Sequence, residues 1–338
     1  MKSSEKKVTL NDVAEYSGVS YQTVSRVINN HPSVAEDTRQ RVLGAIRALN
    51  YHPNRAARSL VTSRSDTIAI ISFGVTFYGP GQMMSHITRH AKASGYRVSL
   101  STVEQLGWNE VKSAIDDLHE HLIDGIIMIA PIISDFMPDI RTLIGHIPFI
   151  QIDTKAQEGV ASVVIEQAHG TKLAVEHLIE LGHRQIAEIS GPLNWYDAVM
   201  RHHSWQETMK RHQLPYHMSV EGNWSAQSGY DGIRTLVKSG AKFTAVAVAN
   251  DQMALGAMAA LSELGLRVPQ DVSVVGYDNI PESAYFIPPL TTIHQDFEAL
   301  GEQCVDYLVS LISNPDTPIH QRVLYPKLVI RDSTMPLT

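Results

Sequence analysis

The chain has 338 residues, 43% hydrophobic and 19% charged, which suits two or three globular domains and not a collagen-like or disordered polymer. Its net charge of −7 is unevenly spread: residues 1–64 hold ten Lys and Arg against five Asp and Glu, and the rest hold 18 against 30. A single cysteine, Cys304, excludes an intrachain disulfide framework; the start, MKSSEKKV, has no apolar leader, and the longest apolar stretch, near residues 125–133, is far short of the ~18 residues of a membrane span, so a cytoplasmic location is expected.

The first element is residues 9–29, TLNDVAEYSGVSYQTVSRVIN, whose spacing predicts a helix-turn-helix. Thr9 is placed to cap the first helix, with Asp12 completing a capping-box-like pair. Val13 and Ala14 face inward, and small Ala14 lets a second helix cross closely. Gly18 stands at the reversal, where a left-handed backbone carries no Cβ penalty. Ser20 caps the second helix, and Val24, Val27 and Ile28 give it an apolar stripe. Tyr21, Gln22, Ser25, Arg26 and Asn29 then face out. Amide, phenol and guanidinium groups at an exposed helix start match base edges in the major groove of DNA. The basic head on an acidic body agrees with a molecule that meets phosphate at one end.

A third helix follows, with Val42, Ala45, Ile46 and Leu49 at helical spacing and Glu36 and Asp37 in its first turn. Residues 50–54, NYHPN, break it. The next stretch, 55–61, RAARSLV, has good helix formers but is too short to be helical alone, since isolated helices below ~12–15 residues are marginal in water. Residues 62–66 read as polar linker.

From Thr67 short apolar runs alternate with amphipathic helices. The runs are 68–73, 98–103, 125–130, 149–152, 163–165, 186–189, 245–249 and 272–277. Runs apolar on both faces and separated by helices predict parallel sheets covered on both sides, and their number predicts two doubly wound α/β subdomains. Ligands of such folds bind beyond the carboxyl ends of the strands. The residues there are polar: Asp153, Asn250 with Asp251, Asp278, and Gln295 after 290–293. Arg201 and Trp224 lie in segments able to reach the same cleft, Trp224 with a flat face for a sugar ring. Asp251 alone reads as the N-cap of a helix opening at Gln252.

The segments VTLNDVAEYSGVSYQTVSRVIN, NYHPNRAA, GTKLAVEHLIELGH, VANDQMALGAM, SVVGYDN and YFIPPLTTIHQDF, spread from Val8 to about Arg331, resemble the lactose-repressor/galactose-repressor family of bacterial transcription regulators, and its lactose branch above all. The resemblance implies an all-α helix-turn-helix headpiece (1–53), a hinge helix and linker (54–65), and a periplasmic-binding-protein-like core. That core would divide into an N-terminal subdomain (66–165 and 297–324) and a C-terminal one (166–296 and 325–338). It implies a homodimer on a pseudo-palindromic operator, released by a small sugar inducer, a galactoside, with no metal, cofactor or membrane partner.

By that resemblance Tyr21, Gln22 and Arg26 contact bases, and Thr9, Ser20 and Ser25 hold phosphates. Leu60 wedges the minor groove. Asp153, Arg201, Asn250 and Asp278 bind sugar hydroxyls with support from Gln295, while Phe77, Met83, Ile152, Trp224 and Phe297 wall the cleft. The chain departs from the pattern at Ala35, where a capping Ser is usual, at Tyr78 and Ile165, at Asn194-Trp195-Tyr196-Asp197 in place of a small hydroxyl-rich segment, and at Val199. The bulk at Trp195 leaves the aglycone or linkage open. No leucine-repeat tail follows residue 338, so a dimer and not a tetramer is expected.

Three rival readings carry less. No G-x-G-x-x-G follows the first run, and neither G-x-S-x-G nor a Walker sequence occurs, which argues against an enzyme. His86 and His90 stand four apart without the glutamate of a zincin; His202-His203 and His119/His121 lack acidic or cysteine partners at ligand spacing. A periplasmic receptor would not carry the headpiece. A purine or phosphosugar co-repressor would reverse the response, and a phosphate would want more cations than the one cleft arginine.

Overall fold

A computed structural model describes residues 8–28, 31–51, 64–104, 108–119, 122–130 and 142–337. The chain divides into two units, Met1–Ser65 and Asp66–Thr338. Asn29, the expected hinge helix with Leu60, and the second histidine of the His119/His121 pair lie outside the described residues.

The first unit holds α1 (Leu10–Ser17), α2 (Tyr21–Ile28) and α3 (Glu36–Ala48). Its core is Val13, Ala14, Val24, Val27, Val42, Ala45 and Tyr51. The capping box at α1 is present: Thr9 Oγ1 accepts from Asp12 N, and Thr9 N donates to Asp12 Oδ2 at 2.7 Å. Gly18 ends α1 at φ 65° with its N–H on the Ala14 and Glu15 carbonyls. Ser20 Oγ accepts from Thr23 N at 3.2 Å, closing the start of α2. α3 begins after Ala35, which has extended backbone and no side-chain cap.

The second unit is α/β. Its six-stranded sheet is parallel throughout, in the order β11-β5-β4-β3-β1-β2. The strands are β1 (Thr67–Phe73), β2 (Arg97–Val103), β3 (Gly125–Ile129), β4 (Phe149–Ile152), β5 (Ala161–Ile165) and β11 (Gln321–Leu324). Side chains alternate across a strand, and here both faces are covered. Ile68, Ile70, Ile127, Ile129 and Ile150 pack on one side with Met83 and Ile87 of α4 (Tyr78–Ala93) and Leu300, Val305 and Leu308 of α10 (Phe297–Ser313). Ala69, Ile71, Ile126 and Met128 pack on the other with Val111, Ile115 and Leu118 of α5 (Trp108–His119). The edge strands are less covered: β2 has exposed positions, Leu100 among them, and β11 is half-buried throughout.

The second sheet is also parallel, β7-β6-β8-β9, from β6 (Ile186–Ser190), β7 (Ser219–Glu221), β8 (Ala245–Val248) and β9 (Ser273–Val275). α6 (Gln167–Glu180) and α7 (Tyr196–Arg211) cover one face; α8 (Ala226–Lys238) and α9 (Asp251–Glu263) cover the other. α8 and α9 touch through glycine: a Cβ at Gly256 would run into the Ala226 carbonyl, and one at Gly229 into the Met253 carbonyl. An antiparallel ribbon of β10 (Thr292–His294) and β12 (Lys327–Val329) lies alongside, tied to β9 by a parallel bridge between Val275 and Thr291.

The eight apolar runs all lie on strands. Asp251, expected as the N-cap of α9, does not cap it. The N-cap of α9 is Asn250, whose Oδ1 accepts from Met253 N at 2.9 Å. Asp251 is fully buried one residue later and accepts from Thr292 Oγ1 (2.6 Å) and Ile280 N (2.8 Å), so it clips α9 to the loop and strand beside it.

The uncapped start of α3 predicts a gain. Ala35→Ser supplies the missing acceptor and is expected to stabilise the first unit by about 1 kcal/mol. Slower hydrogen exchange in the first turn of α3 of the full chain is the expected result, and unchanged exchange contradicts it.

Candidate DNA-reading face and effector cavity

In the first unit, Tyr21, Gln22 and Arg26 project from α2 into solvent, with Tyr21 55% exposed, and Ser25 is half-buried. Val24 and Val27 on the opposite face fix the rotation of the helix, so the three base-reading candidates are held on one side. Thr9 and Ser20 are exposed, and each is spent on a cap, leaving its hydroxyl at a helix N-terminus where backbone N–H groups favour phosphate.

In the second unit a cavity of about 280 Å³ opens between the carboxyl ends of the two sheets. Phe77, Met83, Arg201, Trp224, Asn250, Asp278 and Gln295 line it, seven of the ten expected effector residues. Ile152, Asp153 and Phe297 stand behind its wall. Ile152 is wholly within the sheet core, and Phe297 packs against the Tyr78 ring with centroids 6.0 Å apart. Thr76, Tyr78 and Gln252, not among the expected effector residues, also line the cavity, as do Trp195 and Asp197 of the segment that departs from the family pattern.

Arg201 organises the site. It is 5% exposed, and its Nη1 donates to the Ala249 carbonyl, its Nε to Gln167 Oε1 at 2.9 Å. Its guanidinium stacks 3.8 Å from the Tyr277 ring centroid and pairs with Asp278 Oδ1 at 3.8 Å. Gln167 Nε2 donates to Gln295 Oε1 (3.0 Å), and Gln295 Nε2 to Asp278 Oδ1 (2.7 Å), closing a ring of contacts. Gln167 was not legible as part of the site, because a glutamine at a helix start has no distinctive spacing.

Asn250 does two jobs. Besides capping α9, its Nδ2 donates to the Trp224 carbonyl at 3.1 Å and to Gln252 Oε1 at 3.0 Å. That holds Trp224 at φ 71°, a left-handed backbone rare for a bulky residue. The indole then lies over Gly191, where any Cβ would strike the ring, with its Nε1 unbonded.

The carboxylates are strained by burial. Asp278 is pushed up to about 6, chiefly by desolvation, with Arg201 and Gln295 opposing. Asp197 is likewise pushed up to about 6 by burial, Arg201 opposing. Asp153, under the cavity with neither oxygen hydrogen-bonded, rises well above the usual range through burial and the charge of Asp197. Among the described residues lining the cavity, Arg201 is the single Lys or Arg. Among the described residues no three His, Cys, Asp or Glu gather as a metal site, and no helix is long and apolar enough to cross a membrane.

Residues 9–54 match the lacI family of bacterial regulatory proteins, and residues 175–334 match a periplasmic binding protein-like domain. The chain is 40% identical over 330 residues to the lactose operon repressor of Escherichia coli, covering 98% of this chain and 91% of the relative. It is 35% identical over 332 residues to the transcriptional repressor PurR of Haemophilus influenzae, covering 96% and 98%. A crystal structure of the lac repressor dimer bound to operator and the anti-inducer ONPF matches with TM-score 0.92 at 40% identity, over 98% of this chain and all of that one. These relatives are repressors and not enzymes. The chain belongs to the LacI family of bacterial regulatory proteins, as a transcriptional repressor with a helix-turn-helix DNA-binding unit and a periplasmic binding protein-like domain.

Proposed function

We propose that this repressor holds a pseudo-palindromic operator as a homodimer and is released by a small neutral sugar, a galactoside, bound in the cavity around Arg201. The observation that carries the reading is the lining itself: a guanidinium, carboxylates and amides beside the faces of Trp224 and Phe77. Paired polar groups satisfy vicinal hydroxyls, and flat apolar faces cover the C–H side of a sugar ring. One cation against two lining carboxylates, Asp197 and Asp278, disfavours a phosphosugar. The dimer reading is supported by the relative's dimeric operator complex and by Tyr285 and Ile287, which stand 85% and 95% exposed on the second unit.

In this reading Tyr21, Gln22 and Arg26 read bases, and Thr9, Ser20 and Ser25 position the backbone. The test is operator release by the full chain across galactosides, glucosides, fructosides and purines. Release by galactosides is expected; release only by another class overturns the galactoside assignment.

Two substitutions separate the functions. Gln22→Ala is expected to weaken the operator by about 1–3 kcal/mol and to relax discrimination at one base pair, with sugar binding unchanged; equal loss on every operator variant contradicts a base-reading role. Arg201→Ala is expected to abolish release while the protein still binds operator, and a normal response contradicts the site.

Titration gives a further check. A hydroxyl donated to Asp278 favours its charged form and lowers a pKa that stands at about 6 in the free protein. Sugar binding therefore releases protons below about pH 6, and affinity is expected to fall severalfold from pH 7.5 to pH 5. Calorimetry in buffers of different ionisation enthalpy reads both effects, and pH-independent affinity contradicts the carboxylate's part.

A further inference from the structure

Trp195 and Asp197 sit at the start of α7, and neither belongs to the ring of contacts around Arg201 and Gln295. The Trp195 indole is 7% exposed and crosses the cleft. Its ring lies 5.4 Å from Phe73 and 5.1 Å from Phe77, both on the side of the six-stranded sheet, and 5.9 Å from Trp224 on its own side. Gly74, at φ 67°, leaves it room: a Cβ there would fall 2.9 Å from the indole Cη2. The indole thus occupies part of the apolar cleft, beside the Phe77 and Trp224 rings that still line the cavity.

Asp197 is the polar counterpart. It is 8% exposed, it lines the cavity, and its Oδ1 has no hydrogen-bond partner. Asp153, at the end of β4 in the other sheet, has neither oxygen partnered and feels the charge of Asp197. Two buried carboxylates with unpartnered oxygens, one after β4 and one at the start of α7, are costly until a ligand supplies donors.

We propose that Trp195 and Asp197 are specificity-determining residues that restrict the effector to an unsubstituted, hydroxyl-rich sugar: Asp197 takes a ring hydroxyl, and the Trp195 plug excludes an apolar aglycone. This rests on the sugar-effector reading above and narrows it. An aryl group competes for the space that the indole takes against Phe73, Phe77 and Gly74.

The test is calorimetric binding of galactose, methyl β-galactoside and phenyl β-galactoside to the full chain and to W195S and D197N, with operator binding by each ligand-free variant reporting that it folds. The wild type is expected to bind galactose at least tenfold more tightly than phenyl β-galactoside. W195S is expected to raise phenyl β-galactoside affinity at least tenfold while changing galactose little. D197N, which keeps the shape but loses the charge, is expected to weaken galactose at least tenfold. A wild type that prefers the phenyl glycoside, or variants whose preference matches wild type, overturn this inference and leave the sugar-effector reading standing. A wild type that binds none of the three overturns the galactoside reading and this inference together.

Discussion

A positive charge buried at 5% exposure decides the layout of the second unit. Arg201 must be paired, because an isolated guanidinium removed from water costs several kcal/mol. Its partners come from separate elements: the Ala249 carbonyl beyond β8, Gln167 at the start of α6, Tyr277 and Asp278 beyond β9. Satisfying one side chain therefore fixes the ends of β8 and β9 and the start of α6 relative to α7. Gln167 and Gln295 extend the same constraint to the ribbon that leads into α10, which covers the six-stranded sheet. The cavity is what is left when these demands are met.

Parallel strands make this arrangement possible. Each ends at the same edge of its sheet, so residues far apart in the chain arrive together: Asp153 after β4, Asn250 after β8, Asp278 after β9. Asn250 illustrates how tightly roles are shared. Its acceptor caps α9, and its amide N–H groups donate to the carbonyl of Trp224, which is left-handed, and to Gln252 Oε1. Replacing it would disturb a helix start and an aromatic wall at once.

Much of this was legible in the sequence, for identifiable reasons. Buried strands announce themselves as short apolar runs, and all eight became strands; β7, β11 and β12, three or four residues long and half-buried or exposed, carried no such signal. The caps at Thr9, Gly18 and Ser20 depend on residues within four positions, so local chemistry sufficed. Asp251 was misread because a carboxylate opening a helix is usually a cap; here its partners, Thr292 and Ile280, are 41 and 29 residues away. The same distance effect hid Gln167, and it separated Asp153, buried beneath the wall, from the residues that form it. Trp195 and Asp197 stood out as departures from the family pattern, but only the fold shows the first wedged against Gly74 and the second without a donor.

Under the proposed function, one molecule couples sugar at the Arg201 cavity to operator at α2. Coupling of this kind is reciprocal, with typical magnitudes of about 1–3 kcal/mol, or roughly 5–150-fold in affinity. The direct measurement is the affinity of the full chain for its inducing sugar with and without saturating operator duplex. Operator is expected to weaken the sugar by the same factor by which the sugar weakens operator. Equal sugar affinity in the two conditions would contradict it.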